Sequence, residues 1–128
     1  METQSTWQKI WTWIDLRGRR EGGIGFILMR LTAIGLVVYL ALHLTMISNL
    51  ARGPEAWDSF IKLVKLPIFM VGDTLLIFGL VYHAINGIRV TVLGLGWGGD
   101  HQAALFWGAF VLSVLLTAVM VTAIVAIG

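Results

Sequence analysis

Three stretches of this sequence, about 24–50, 66–95 and 103–127, are apolar over lengths that a small water-soluble core does not need. A helix crosses the roughly 30 Å hydrocarbon layer of a bilayer with about 20 such residues. Inside that layer only helices and closed barrels satisfy their own backbone hydrogen bonds. The runs are too long for barrel strands, so the expected fold is all-α: three transmembrane helices in one domain spanning residues 1–128. The runs absorb most of the chain's 128 residues and leave no room within it for a separate soluble catalytic domain. Charged residues make up 12% of the chain, against about 25% in soluble domains, which excludes a soluble enzyme. The 58% apolar content excludes disorder, whose signature is the opposite. With no cysteine, the chain cannot ligate an iron–sulfur cluster, a thiolate zinc site or a covalently attached haem.

The segments around these runs set the orientation. Trp7, Ile10, Trp11 and Ile14 repeat at the spacing of one helix face, and Arg17, Arg19 and Arg20 follow. This pattern predicts a short N-terminal helix lying in the membrane interface, with indole rings at headgroup level. Gly22, Gly23 and Gly25 are then expected to turn the chain into the first span. Between the first two spans, Gly53-Pro54 marks a turn, and 55–60 allows one or two helical turns. Pro67 suits the first turn of the second span. The excess of Lys9, Arg17, Arg19 and Arg20 on one side favours a cytoplasmic N-terminus by the positive-inside rule, with residues 1–23 as a cytoplasmic amphipathic segment. The basic residues lie beside the apolar runs, so they point to lipid headgroups and not to nucleic acid.

An ionisable side chain inside the bilayer is costly and by default marks a functional site. His83 lies about 18 Å from the end of its span, close to mid-membrane. Gly72, Gly79, Gly87 and Gly94 project within about 40° of it on the helical wheel. One reading is a side-chain-free trough in which a flat macrocycle approaches the helix and the imidazole ligates its iron. The other is a small-residue stripe for helix packing, with His83 hydrogen-bonded to a neighbour. His43 sits nearer the opposite face, about 10 Å from the depth of His83, so the two imidazoles should not share one iron. Either each binds its own haem, completed by another chain, or His43 is a packing residue. Arg30 and Arg89 lie toward the same end of their helices and suit a haem propionate or a quinone oxygen, with snorkelling to headgroups as the alternative. Thr32 offers a hydroxyl beside them, unless it bonds back to its own helix. The third span carries no charge and no histidine.

Tyr82-His83-Ala84-Ile85-Asn86-Gly87-Ile88-Arg89 resembles the His-x-x-x-Gly-Ile-Arg signature of the cytochrome b subunit of succinate dehydrogenase, the larger membrane anchor of complex II. The order of elements is also similar: a basic N-terminus, an arginine early in the first span, and the signature histidine in the second. Phe26 stands where that family often has serine, and Thr32-Ala33 where it often has Ser-Gly. The resemblance implies that His83 is an axial ligand of haem b and that Arg30 belongs to the quinone pocket and propionate surroundings. It implies flavoprotein and iron–sulfur partner subunits, and a second small anchor that shares the haem. His43 is similar to the first-helix histidine of diheme anchors, which implies one or two haems. A bacterial or archaeal cytoplasmic membrane is the expected location. The competing reading is a haem-free helical subunit that packs a transporter or respiratory complex.

Overall fold

In hydrocarbon a backbone has no water to bond, so each apolar run closes its hydrogen bonds along its own helix. The computed structural model describes residues 5–14 and 21–127, which are helical apart from short connections, with no strand among them. Helix α1 covers Thr6–Ile14, α2 Glu21–Ile47, α3 Pro54–Val64, α4 Pro67–Gly94 and α5 Gln102–Ile127. Short 3₁₀ turns, Ser48–Arg52 and Gly99–His101, follow α2 and precede α5. Three of these segments, Gly22–Arg52, Pro67–Gly94 and Gly99–Ile127, are long and apolar enough to cross a membrane. Together, α2, α4 and α5 form an antiparallel bundle. Its proximal end is where α2 and α5 start and α4 finishes.

The N-terminal helix begins with a capping box. The backbone N–H of Gln8 bonds the Ser5 hydroxyl at 3.4 Å, and the Ser5 N–H bonds Gln8 Oε1 at 3.0 Å. Trp7, Ile10 and Trp11 are exposed, as an interfacial helix requires. The expectations for Arg17, Arg19 and Arg20 lie outside the described residues.

Two local expectations are corrected. Gly22, Gly23 and Gly25 do not turn the chain; they lie inside α2, which starts at Glu21. At Gly25 the backbone approaches its neighbours closely: a Cβ would come within 3.0 Å of Arg89 Nη2 and 3.2 Å of the Phe106 ring, so a side chain there would push both aside. The connector holds an 11-residue helix instead of one or two turns. Pro54 begins it at a position where no N–H is needed, after Gly53 at φ 104°. Pro67 opens α4 as expected, and Gly96 (φ 87°) and Gly98 (φ 79°) reverse the chain after it.

The interior is inverted relative to a soluble domain. Of the buried residues, Ile27, Tyr82, Phe106 and Ala109 are apolar or aromatic, while Asn86, Arg89, Ser113 and Thr117 are polar or charged. Large aliphatic side chains of all three spans face outward, where lipid solvates them as well as a protein core would. What holds the spans together is therefore packing and hydrogen bonding. On α5, Phe106, Ala109, Ser113 and Thr117 recur every three or four residues and form the buried stripe. Small residues there let helices approach closely. The hydroxyls of Ser113 and Thr117 donate to Ala109 and Ser113 carbonyls of their own helix, both at 2.7 Å. Phe106 and Phe110 extend the packing to Tyr82 and Phe78 through ring contacts of about 6 Å.

Ser113 is fully buried, so Ser113→Leu should force α5 outward. Overpacking of this kind costs about 1–3 kcal/mol, and the purified, detergent-solubilised protein is expected to melt at a lower temperature. Ser113→Ala should melt within about 0.5 kcal/mol of wild type, because its hydroxyl serves only its own helix.

Candidate functional site

The functional side chains gather where α2 and α4 face each other in the proximal half of the bundle. An open cleft of about 700 Å³ lies there, walled by Phe26, Met29, Arg30 and Ala33 of α2 and by His83, Gly87, Arg89 and Val90 of α4. Gly22, Thr91, Leu93 and Gln102 complete its lining. Two guanidinium groups and an imidazole therefore line a mostly apolar space, and among the described residues no acidic side chain lines it.

His83 is half-buried near the middle of α4. Its Nδ1 lies 3.1 Å from the Thr32 hydroxyl of α2. Thr32 Oγ1 in turn lies 2.8 Å from the Leu28 carbonyl and 3.0 Å from the Met29 carbonyl, one turn back on its own helix. Thr32 thus bonds back, as threonines in spans commonly do, and also meets His83. The glycine trough is partly filled. A Cβ on Gly79 would meet Thr32 Cγ2 at 3.8 Å, and one on Gly87 would meet Met29 Cε at 3.2 Å. Gly72 and Gly94 face open space. The two glycines flanking His83 therefore seat α2, and the cleft opens beside that seat.

Arg89 is 8% exposed, well inside the bundle. Its Nε donates to Asn86 Oδ1 at 2.8 Å, three residues back on α4. The guanidinium lies 5.5 Å from the centre of the Phe106 ring, within cation–π reach. Among the described residues, no group accepts a hydrogen bond from its buried Nη1. Asn86 is fully buried and turns its amide nitrogen to the Met29 sulfur at 3.5 Å. The Tyr82 hydroxyl donates to the Gly25 carbonyl at 3.4 Å, joining α4 to α2 just below the cleft. Arg30 behaves differently: it is exposed, with its guanidinium carbon 4.5 Å from the centre of the Phe26 ring.

His43 does not belong to this cleft. It lies eleven residues beyond Thr32 on α2, about 16 Å along the helix axis, a wider separation from His83 than the sequence arithmetic suggests. It is exposed and packs against Tyr39, ring centres 5.3 Å apart. A second cleft of about 550 Å³ at the distal end is lined by Tyr39, Asp73 and mostly aliphatic residues, without His43. Among the described residues, no three of His, Cys, Asp and Glu gather to hold a metal ion.

Of the site residues named from sequence, His83, Arg30, Arg89 and Thr32 come together on the α2–α4 face, and His43 stands apart. Asn86 and Phe106, which hold Arg89, had no role assigned from sequence. The i, i+3 spacing of Asn86 and Arg89 was a usable signal; Phe106 comes from another helix and gave none.

Three long apolar helices, with a cation-lined cleft between two of them, define an integral membrane protein. The family of succinate dehydrogenase/fumarate reductase transmembrane subunits matches residues 10–122, and the chain belongs to that family. It is also similar to the succinate dehydrogenase hydrophobic membrane anchor subunit of Halobacterium salinarum, 32% identical over 79 residues. That alignment covers 61% of this chain and 61% of the relative, so the chain spans about three fifths of that relative's length. No solved structure matches the chain.

Asn86→Ala removes the acceptor of a buried guanidinium N–H and should cost about 2 kcal/mol. In Asn86→Ala/Arg89→Met the unanswered charge is gone too. The double variant is expected to be more stable, by about 1 kcal/mol or more, than the sum of the single losses predicts. Thermal melts of the four purified proteins check this.

Proposed function

We propose that this chain is a haem b-binding membrane anchor of a succinate:quinone oxidoreductase, through which the dehydrogenase subunits deliver electrons to membrane quinone. The observation that carries the reading is the α2–α4 cleft, where His83, Arg30 and Arg89 converge on one space between two spans. A single imidazole is the donor set that suits a cofactor bringing its own four nitrogen ligands. Arg89 adds a guanidinium on the cleft wall, with a buried N–H that no described residue accepts, and its charge suits a propionate carboxylate.

In this reading His83 would hold the iron through its ring and Arg89 would pair with a propionate. Met29, Ala33, Gly87 and Val90 provide apolar walls. When bound, haem b supplies one-electron oxidation and reduction at its iron. Arg30, exposed at the rim beside Phe26, donates hydrogen bonds to a quinone carbonyl arriving from the lipid. Oxidation of succinate to fumarate by the partner subunits releases two electrons and two protons, the number that quinone needs to become quinol. The flavoprotein and iron–sulfur subunits dock at the proximal, N-terminal side, which faces the cytoplasm of a bacterial or archaeal cell. A second small anchor would complete the haem site from its own chain.

A second reading has support of its own. Thr32 and Met29 occupy the groove at Gly79 and Gly87, which is what a haem-free packing subunit of a transporter or respiratory complex requires. Haem content separates the two. His83→Ala is expected to abolish the b-type absorbance bands of the purified complex while the flavin subunit stays attached. Unchanged haem in that variant overturns the assignment, and a colourless wild-type complex favours the packing subunit. The expected ratio of haem to flavin is one, since His43 lines neither cleft. A ratio of two would return His43 to the ligands.

Arg30→Lys loses the planar fork of donors. Its quinone reductase activity is expected to show a KM raised roughly tenfold, the weight of one charge-assisted hydrogen bond. Succinate oxidation with a soluble electron acceptor should be unaffected.

A further inference from the structure

The Thr32 hydroxyl has one hydrogen and three neighbours. The Leu28 and Met29 carbonyls lie at 2.8 and 3.0 Å, and His83 Nδ1 at 3.1 Å. A carbonyl oxygen only accepts, whereas a hydroxyl donates once and accepts with its lone pairs. If the hydrogen pointed to a bare Nδ1, the Thr32 oxygen would face two carbonyl oxygens at contact distance with nothing between them. With the hydrogen directed back along α2, every contact is favourable, provided that Nδ1 carries its own hydrogen and donates it to Thr32. Thr32 Cγ2 also packs over Gly79, 3.8 Å from where a Cβ would stand, which sets the position of the threonine against α4.

We propose that Thr32 is a positioning residue for His83. It holds the ring in the tautomer protonated at Nδ1 and leaves the lone pair of Nε2 to ligate an iron. The assignment rests on the haem reading above and gives Thr32 to the imidazole instead of the quinone. A histidine ligand that donates its second N–H to an acceptor is fixed in orientation and made more basic, which favours ferric over ferrous iron. Thr32 is then a determinant of the potential as well as of the geometry.

The test compares Thr32→Val and Thr32→Ser in the purified complex by haem content, redox titration and the electron paramagnetic resonance spectrum of the ferric haem. Valine keeps the methyl over Gly79 and removes the acceptor; serine does the reverse. A tenfold loss of ferric preference is the low end of what a removed second partner costs. At about 59 mV per decade for one electron, Thr32→Val is expected to raise the midpoint potential by about 59 mV and shift the ferric g-values. Thr32→Ser should stay near wild type. Loss of haem from Thr32→Val with retention in Thr32→Ser supports the proposal equally. A wild-type potential and spectrum in Thr32→Val overturn it, as does a Thr32→Ser variant that behaves like Thr32→Val. A wild-type complex without haem overturns the underlying reading instead, so the two failures are distinct.

Discussion

A guanidinium buried among membrane-spanning helices must be answered inside the protein, because lipid offers it neither a hydrogen bond nor a counter-charge. Arg89 meets that demand with parts from three helices. Asn86 of α4 accepts from its Nε, Phe106 of α5 offers a ring, and Gly25 of α2 yields the space its Nη2 needs. The surrounding arrangement follows. A side chain at Gly25 would crowd Arg89 and Phe106. Asn86 is inside because Arg89 requires its carbonyl. Arg89, Arg30 and His83 together give the cleft its chemical character.

The same economy governs the bundle as a whole. Lipid solvates leucine and valine as well as a protein core does, so apolar side chains have no reason to turn inward. Polar and small residues do have one. Hydroxyls and amides find partners there, and glycine, alanine and serine let backbones approach. The buried stripe of α5 and the Gly79–Thr32 and Gly87–Met29 contacts are two instances of this rule. Glycines beside a mid-membrane histidine are thus compatible with two uses at once. They seat α2 against α4, and by bringing the backbones close they place the Thr32 hydroxyl within reach of the imidazole.

The two histidines show how depth, rather than proximity in sequence, divides function in such a bundle. His83 shares its level with Thr32 and opens on the cation-lined cleft. His43 lies about three turns away along α2 and leans on Tyr39. Its surroundings hold none of the features that surround His83.

The spans, the amphipathic start and the candidate residues on α2 and α4 were legible in the sequence, because they depend on apolar length, helical periodicity and the cost of charge in hydrocarbon. Each of these is a property of consecutive residues. The turn expected at Gly22–Gly25 was misjudged, and the two readings of the Gly79–Gly87 groove stayed open, for a common reason. A glycine reports that a side chain is absent, and only its neighbour across the interface says why. The link from Thr32 to His83 and the hold of Phe106 on Arg89 join residues tens of positions apart on different helices. They exist only once helix packing has set axial register and rotation, and these are decided by side-chain fit between spans.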